Sequence, residues 1–129
     1  MKVHHIGYAV NSIESAFEQF KLLGFTKESF QIDESRKVSI AFIRNGDTLV
    51  ELIEPCGEGS PVEELLKKSG PAPYHICYCA ECIDDVLPEL KKAGWAVISK
   101  KAEAPAISGA PVVFLYNKEA GLIELVEEK

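Results

Sequence analysis

The sequence lacks any apolar run of the roughly 20 residues that a membrane-crossing helix needs. It also lacks a basic stripe. Its 14 Lys and Arg are interleaved with 20 Asp and Glu, for a net charge of −6. Nucleic acid is therefore not expected as a partner, because neutralising phosphates takes clustered cations. Cysteine is sparse: Cys56, Cys77, Cys79 and Cys82. The Cys79-x-x-Cys82 spacing has no second cysteine pair to complete a four-thiolate zinc site. No Gly-Pro turn lies between the two thiols, as a redox motif would favour. All four are expected to be free, part-buried thiols of a reducing compartment. The opening MKVHHIGYAV runs straight into strand-like sequence, so no signal peptide is expected and the expected location is the cytoplasm.

What is present is a repeat. His4-His5-Ile6-Gly7-Tyr8-Ala9-Val10 aligns with Tyr74-His75-Ile76-Cys77-Tyr78-Cys79-Ala80 at an offset of 70. The same offset places Ile13 on Ile83, Phe17 on Leu87, Phe20 on Leu90, Gly24 on Gly94 and Phe25 on Trp95. Leu49–Glu54 then aligns with Leu122–Glu127 at an offset of 73. Three blocks in one order at nearly one offset point to duplication.

Each copy reads as βαβββ, giving an α+β fold of two tandem modules in a cupped mixed sheet with helices outside. Module one covers about residues 1–55 and module two about 73–129, with a linker helix near 60–70. The first strands are His4–Val10 and Tyr74–Ala80. In the first helix Ile13, Ala16, Phe17, Phe20 and Leu23 keep one apolar face; Asn11 or Ser12 caps it and Gly24 ends it. In the second, Pro88 requires a start near Asp84 or Asp85, or a kink. Strands follow near Thr26–Ile32, Lys37–Arg44 and Thr48–Glu54, the last two joined through Asn45-Gly46-Asp47. Their counterparts are Ala96–Lys101, Val112–Tyr116 and Gly121–Glu127. Between the modules, Ser60, Pro61 and Glu63 form a capping box for Val62–Lys68, and Gly70-Pro71-Ala72-Pro73 reads as a stiff linker.

Alternation along the strands then points to a site. His5, Gly7 and Ala9 share the small face of the first strand, as do His75, Cys77 and Cys79 in the second copy. Glu51 lies opposite Val50 and Leu52, and Glu124 opposite Ile123 and Leu125. A carboxylate facing a core alone is costly. Two imidazoles and two carboxylates, related by duplication, suit one divalent cation with room for substrate oxygen. His4 points away, and Glu54 and Glu127 read as solvated strand ends.

These residues resemble the vicinal oxygen chelate superfamily, which includes glyoxalase I, methylmalonyl-CoA epimerase, extradiol dioxygenases and bleomycin or fosfomycin resistance proteins. HHIGYAV, VELIEP, SPVEELLKK, YHICY and GLIELVEE carry the likeness, which spans essentially the whole chain. It implies a glyoxalase-like fold and a metal site of His5, Glu51, His75 and Glu124. It implies proton abstraction beside a metal-polarised oxygen, with Glu124 and Glu51 as candidate bases. The cofactor expected is one divalent ion: nickel or cobalt first, with manganese and zinc as alternatives. The partners expected are a small thiol conjugate or CoA thioester and a second copy in a homodimer.

Within that group the reading leans to glyoxalase I, which isomerises a glutathione hemithioacetal. Arg36-Lys37-Val38 and the His/Glu/His/Glu set resemble compact clostridial-type glyoxalases, and the strand over Lys37–Phe42 carries no carboxylate to serve as a second base. The alternatives are methylmalonyl-CoA epimerase, which SPVEELLKK resembles, and a non-catalytic binding protein. Arg36, Lys37, Arg44, Lys100, Lys101 and Ser108 are candidate contacts for an anionic substrate. The stretch Ala104–Ala110 reads as a mobile lid or a long connection.

Overall fold

A computed structural model describes residues 1–128. Nine strands in mixed parallel and antiparallel pairing and three α-helices make an α+β fold. The chain falls into two compact units, His5–Tyr74 and the remainder.

In the His5–Tyr74 unit the elements are β1 (Lys2–Ala9), α1 (Ile13–Leu22), β2 (Thr26–Asp33), β3 (Val38–Asn45), β4 (Thr48–Pro55) and α2 (Pro61–Ser69). β1 begins in the other unit. The strand order is β2-β3-β4-β1. β1 and β4 run parallel, with Gly7 opposite Glu51 and Tyr8 opposite Leu52. Val10, Ile13, Ala41, Ile43, Val50 and Leu52 form the core beneath α1, with Tyr8, Phe17, Phe20 and Phe25 packed against it. The larger face of β1 is thus the helix side, as its alternation predicts. Ser12 caps α1, its hydroxyl accepting from the Ser15 N–H at 3.1 Å. Gly24 follows at φ +100°, where a β-carbon would be strained. Asn45 steadies that end by donating from its amide to the Leu23 carbonyl at 3.1 Å.

The other unit repeats the plan with β5 (Ala72–Ala80), α3 (Ile83–Lys92), β6 (Ala96–Val97), β7 (Ala102–Ala104), β8 (Ala110–Asn117) and β9 (Gly121–Glu127). Its order is β5-β9-β8-β6, with β7 also on β8. β5 and β9 are parallel, with Cys77 opposite Glu124. Ala80, Ile83, Val113, Leu115 and Leu125 form its helix-side core.

Several expectations are corrected here. Glu54 and Glu127 are not solvated ends: each caps a helix. Glu54 Oε1 accepts from the Ile13 N–H at 2.7 Å, and Glu127 Oε1 accepts from the Ile83 N–H at 2.8 Å. A carboxylate there satisfies an orphan donor and faces the positive end of the helix, a contribution of about 0.5–2 kcal/mol each. That bond also lets α3 begin at Ile83 rather than at Asp84 or Asp85. Pro88 therefore lies inside the helix, in its second turn. Having no N–H, it leaves the Asp84 carbonyl without its usual partner from residue 88.

The strand expected over Ala96–Lys101 is only Ala96–Val97, and a separate strand, β7, begins past it at Ala102. Ser99 lies in the gap, its hydroxyl accepting from the Phe114 N–H at 2.9 Å in place of a backbone carbonyl. The capping box of α2 is displaced by one residue: Ser60 makes no side-chain cap bond, and Glu63 Oε2 accepts from the Gly59 N–H at 3.3 Å. Ala72 and Pro73, expected in a linker, already belong to β5. The Ala104–Ala110 stretch is tied down rather than loose. Gly109 N–H donates to the Ala104 carbonyl at 2.9 Å. Ala104 is buried with Cys77, Val112 and Val126, and Ile107 and Ala110 pack against them.

Candidate metal centre and catalytic carboxylates

Each unit carries one histidine and one glutamate on the sheet face turned away from its helix. In the first, His5 lies two residues before Gly7, which is opposite Glu51 across the β1–β4 ladder. His5 Nε2 and Glu51 Oε1 are 3.4 Å apart. In the second, His75 lies two residues before Cys77, which is opposite Glu124. His75 Nε2 and Glu124 Oε1 are 3.2 Å apart. All four are buried, between 1% and 5% exposed. The two copies of the repeat share one local geometry to within 0.2 Å in the His–Glu separation.

A third residue completes each pair, and the sequence reading missed it. Phe42 on β3 is directly opposite Glu51, and Phe114 on β8 directly opposite Glu124. The Phe42 ring meets the His5 imidazole edge to face at 5.3 Å and 76°; Phe114 meets His75 at 5.3 Å and 84°. Extending the repeat to an offset of 72, which aligns Ala41-Phe42-Ile43 with Val113-Phe114-Leu115, would have exposed them. His4 is not in this set; its Nε2 lies 3.2 Å from Glu128 Oε2.

Most of the cations proposed as substrate contacts are committed elsewhere. Arg36 Nη1 lies 2.6 Å from the buried Asp33 carboxylate. Burial raises the Asp33 pKa, but hydrogen bonds from Ser35 and Arg36 and the guanidinium charge outweigh it, holding the carboxyl below its ordinary value. Lys37 adopts φ +55° and donates to the Glu58 carbonyl at 3.2 Å. Arg44 pairs with Glu28, and Lys101 with Asp84 at 3.1 Å. Both cations have raised pKa values, in each case first because the partner carboxylate accepts from the charged form. Lys100 and Ser108 are exposed, the latter at φ +53° before Gly109. None of the four cysteines is in a disulfide among the described residues; Cys77 is buried and Cys56, expected to be part-buried, is exposed. Burial, then the Glu128 charge, pushes the Cys79 thiol up, away from thiolate reactivity.

Among known proteins, the profile of the Glyoxalase/Bleomycin resistance protein/Dioxygenase superfamily matches residues 4–114. An ethylmalonyl-CoA/methylmalonyl-CoA epimerase of Cereibacter sphaeroides is 35% identical over 96% of this chain and 96% of its own. A Bacillus halodurans protein of solved structure superposes with a TM-score of 0.88 at 31% identity, covering 99% of this chain and 94% of its own. A methylmalonyl-CoA epimerase solved with methylmalonyl-CoA superposes at 0.85 and 25% identity, over 97% and 92%. The chain belongs to the glyoxalase/bleomycin resistance/dioxygenase superfamily.

Within that superfamily it is an enzyme, and the lean toward glyoxalase I is overturned. The relatives named for an activity are epimerases of CoA thioesters, not lyases of a glutathione conjugate. The residues behind that lean have structural duties: Arg36 closes the β2–β3 turn onto Asp33, and Lys37 secures the segment after β4. They carried no information about the thiol. No helix among the described residues is long and apolar enough to cross a membrane.

Proposed function

We propose that the protein is an epimerase of short 2-alkylmalonyl-CoA thioesters, methylmalonyl-CoA foremost, working with one divalent metal ion. The observation that carries this reading is the 35% identity to an ethylmalonyl-CoA/methylmalonyl-CoA epimerase along 96% of both chains. The ligand set proposed is His5, Glu51, His75 and Glu124, donors that could hold a metal ion. Their chemistry fits the group. Two buried carboxylates are costly without a compensating cation, and a divalent ion cancels both charges. Imidazole and carboxylate together with two further oxygen positions suit six-coordinate nickel, cobalt or manganese better than tetrahedral zinc. When bound, such an ion acts as a Lewis acid that acidifies the C–H bond next to the thioester carbonyl.

The chain supplies the proton transfers. Inverting the α-carbon requires a proton to leave one face and return to the other. β3 carries no carboxylate, so Glu51 and Glu124 are the proton carriers in this reading. One takes the α-proton, and the other delivers a proton to the opposite face. The phenyl rings of Phe42 and Phe114 limit water beside each imidazole, which strengthens the electrostatics of the transfer.

The test is solvent exchange. Metal-replete protein and a single epimer of methylmalonyl-CoA are mixed in deuterium oxide and followed by proton NMR. The expected result is loss of the α-proton signal with appearance of both epimers. A substrate that keeps its proton and its configuration would overturn the assignment.

A further inference from the structure

We infer that Phe42 and Phe114 are positioning residues: each phenyl ring fixes the plane of its neighbouring imidazole so that Nε2 stays aimed at the glutamate of the same unit. This deepens the metal reading above and rests on it. The two rings stand in the same place twice. Each is directly opposite the glutamate in register, and each meets the imidazole edge to face at 5.3 Å. Directly opposed side chains share a sheet face at contact distance. Every unit therefore holds a His, a Glu and a Phe in mutual contact.

Plain space-filling does not account for the choice. On the helix side of the sheets the two copies exchange aromatic for aliphatic at two positions, while Tyr8/Tyr78 and Phe25/Trp95 stay aromatic. Phe17 and Phe20 become Leu87 and Leu90, and both pack against their cores. On β3 and β8 the neighbours also change, Ala41 to Val113 and Ile43 to Leu115, all buried. Phenylalanine is retained between them, together with the histidine and the glutamate. The torsion that turns an imidazole about its own axis is soft and roughly two-fold. A half-turn exchanges Nδ1 with Cδ2 and Nε2 with Cε1, and so moves the donor off its target. A flat ring set edge to face blocks that turn and gains from the favourable quadrupole contact. A leucine of similar bulk cannot do either.

The experiment compares Phe42→Leu, Phe114→Leu and Phe20→Leu with the parent protein by competition titration with cobalt and by the visible cobalt spectrum. Phe20 is the control. It makes edge-to-face contacts of its own, with Tyr8 at 5.2 Å and Phe25 at 5.4 Å, but on the helix side. Phe42→Leu and Phe114→Leu are expected to bind cobalt about 10-fold more weakly, the loss typical of an outer-sphere orienting group, with altered visible bands. Phe20→Leu is expected to lower the melting temperature while leaving cobalt affinity and spectrum unchanged. Phe114 is only half-buried and carries the test if Phe42→Leu fails to fold. Parent-like affinity and spectrum in the folded site variants, or an equal loss in Phe20→Leu, would overturn the positioning role. Failure of the parent itself to bind cobalt would remove the metal reading beneath it.

Discussion

His5→Ala and His75→Ala are each expected to weaken divalent-metal binding by more than the roughly 10–100-fold that follows loss of an outer-sphere partner. In the proposed ligand set, removing either imidazole takes away a direct donor. It also leaves Glu51 or Glu124, each 5% exposed, with less to offset its burial. A buried charge stripped of its partner is strongly unfavourable. His4→Ala is the internal control. It is adjacent to His5 in sequence but outside the proposed ligand set, its Nε2 3.2 Å from Glu128. Its loss is expected to leave metal affinity unchanged. A calorimetric titration of the three variants checks the contrast, and equal behaviour of His4→Ala and His5→Ala would refute it.

Glu51→Gln and Glu124→Gln separate holding the ion from moving the proton. Glutamine keeps an oxygen donor of the same reach but cannot accept a proton at neutral pH. Both variants are expected to retain the metal while epimerisation falls by about 10²–10⁴-fold, the usual worth of a positioned acid or base. Each variant keeps one carrier. That carrier still removes the α-proton from one epimer and returns deuterium to the same face. Each is therefore expected to exchange one epimer with retention and to leave the other untouched, in opposite senses. Parent-like exchange of both epimers by both variants would mean that the proton carriers lie elsewhere.

The His and Glu of each half were legible in the sequence because duplication kept both residue types at matching places on strands of plain alternation. The apolar faces of α1 and α3 were legible for the same reason. Other features were hidden because their partners are distant. Glu54 and Glu127 look like strand-end charges until the helix N–H groups 41 and 44 residues away are brought to them. Pro88 looked incompatible with a helix beginning at Ile83 for want of that same bond. The short β6 was hidden by Ser99, whose hydroxyl takes over a ladder bond that no periodicity encodes. Phe42 and Phe114 lie outside the blocks that align at offsets of 70 and 73, so the repeat in that form leaves them unmarked. The substrate was misread for a different reason. Arg36 and Lys37 are fold fasteners, and local sequence does not distinguish a fastener from a ligand contact.

The central claim is that the two halves share a single ion. Metal analysis of the saturated, gel-filtered protein tests it most directly. The account predicts one divalent ion per chain, lost from both His5→Ala and His75→Ala. Two ions per chain, with each histidine variant losing only one, would show two independent half-sites and contradict it.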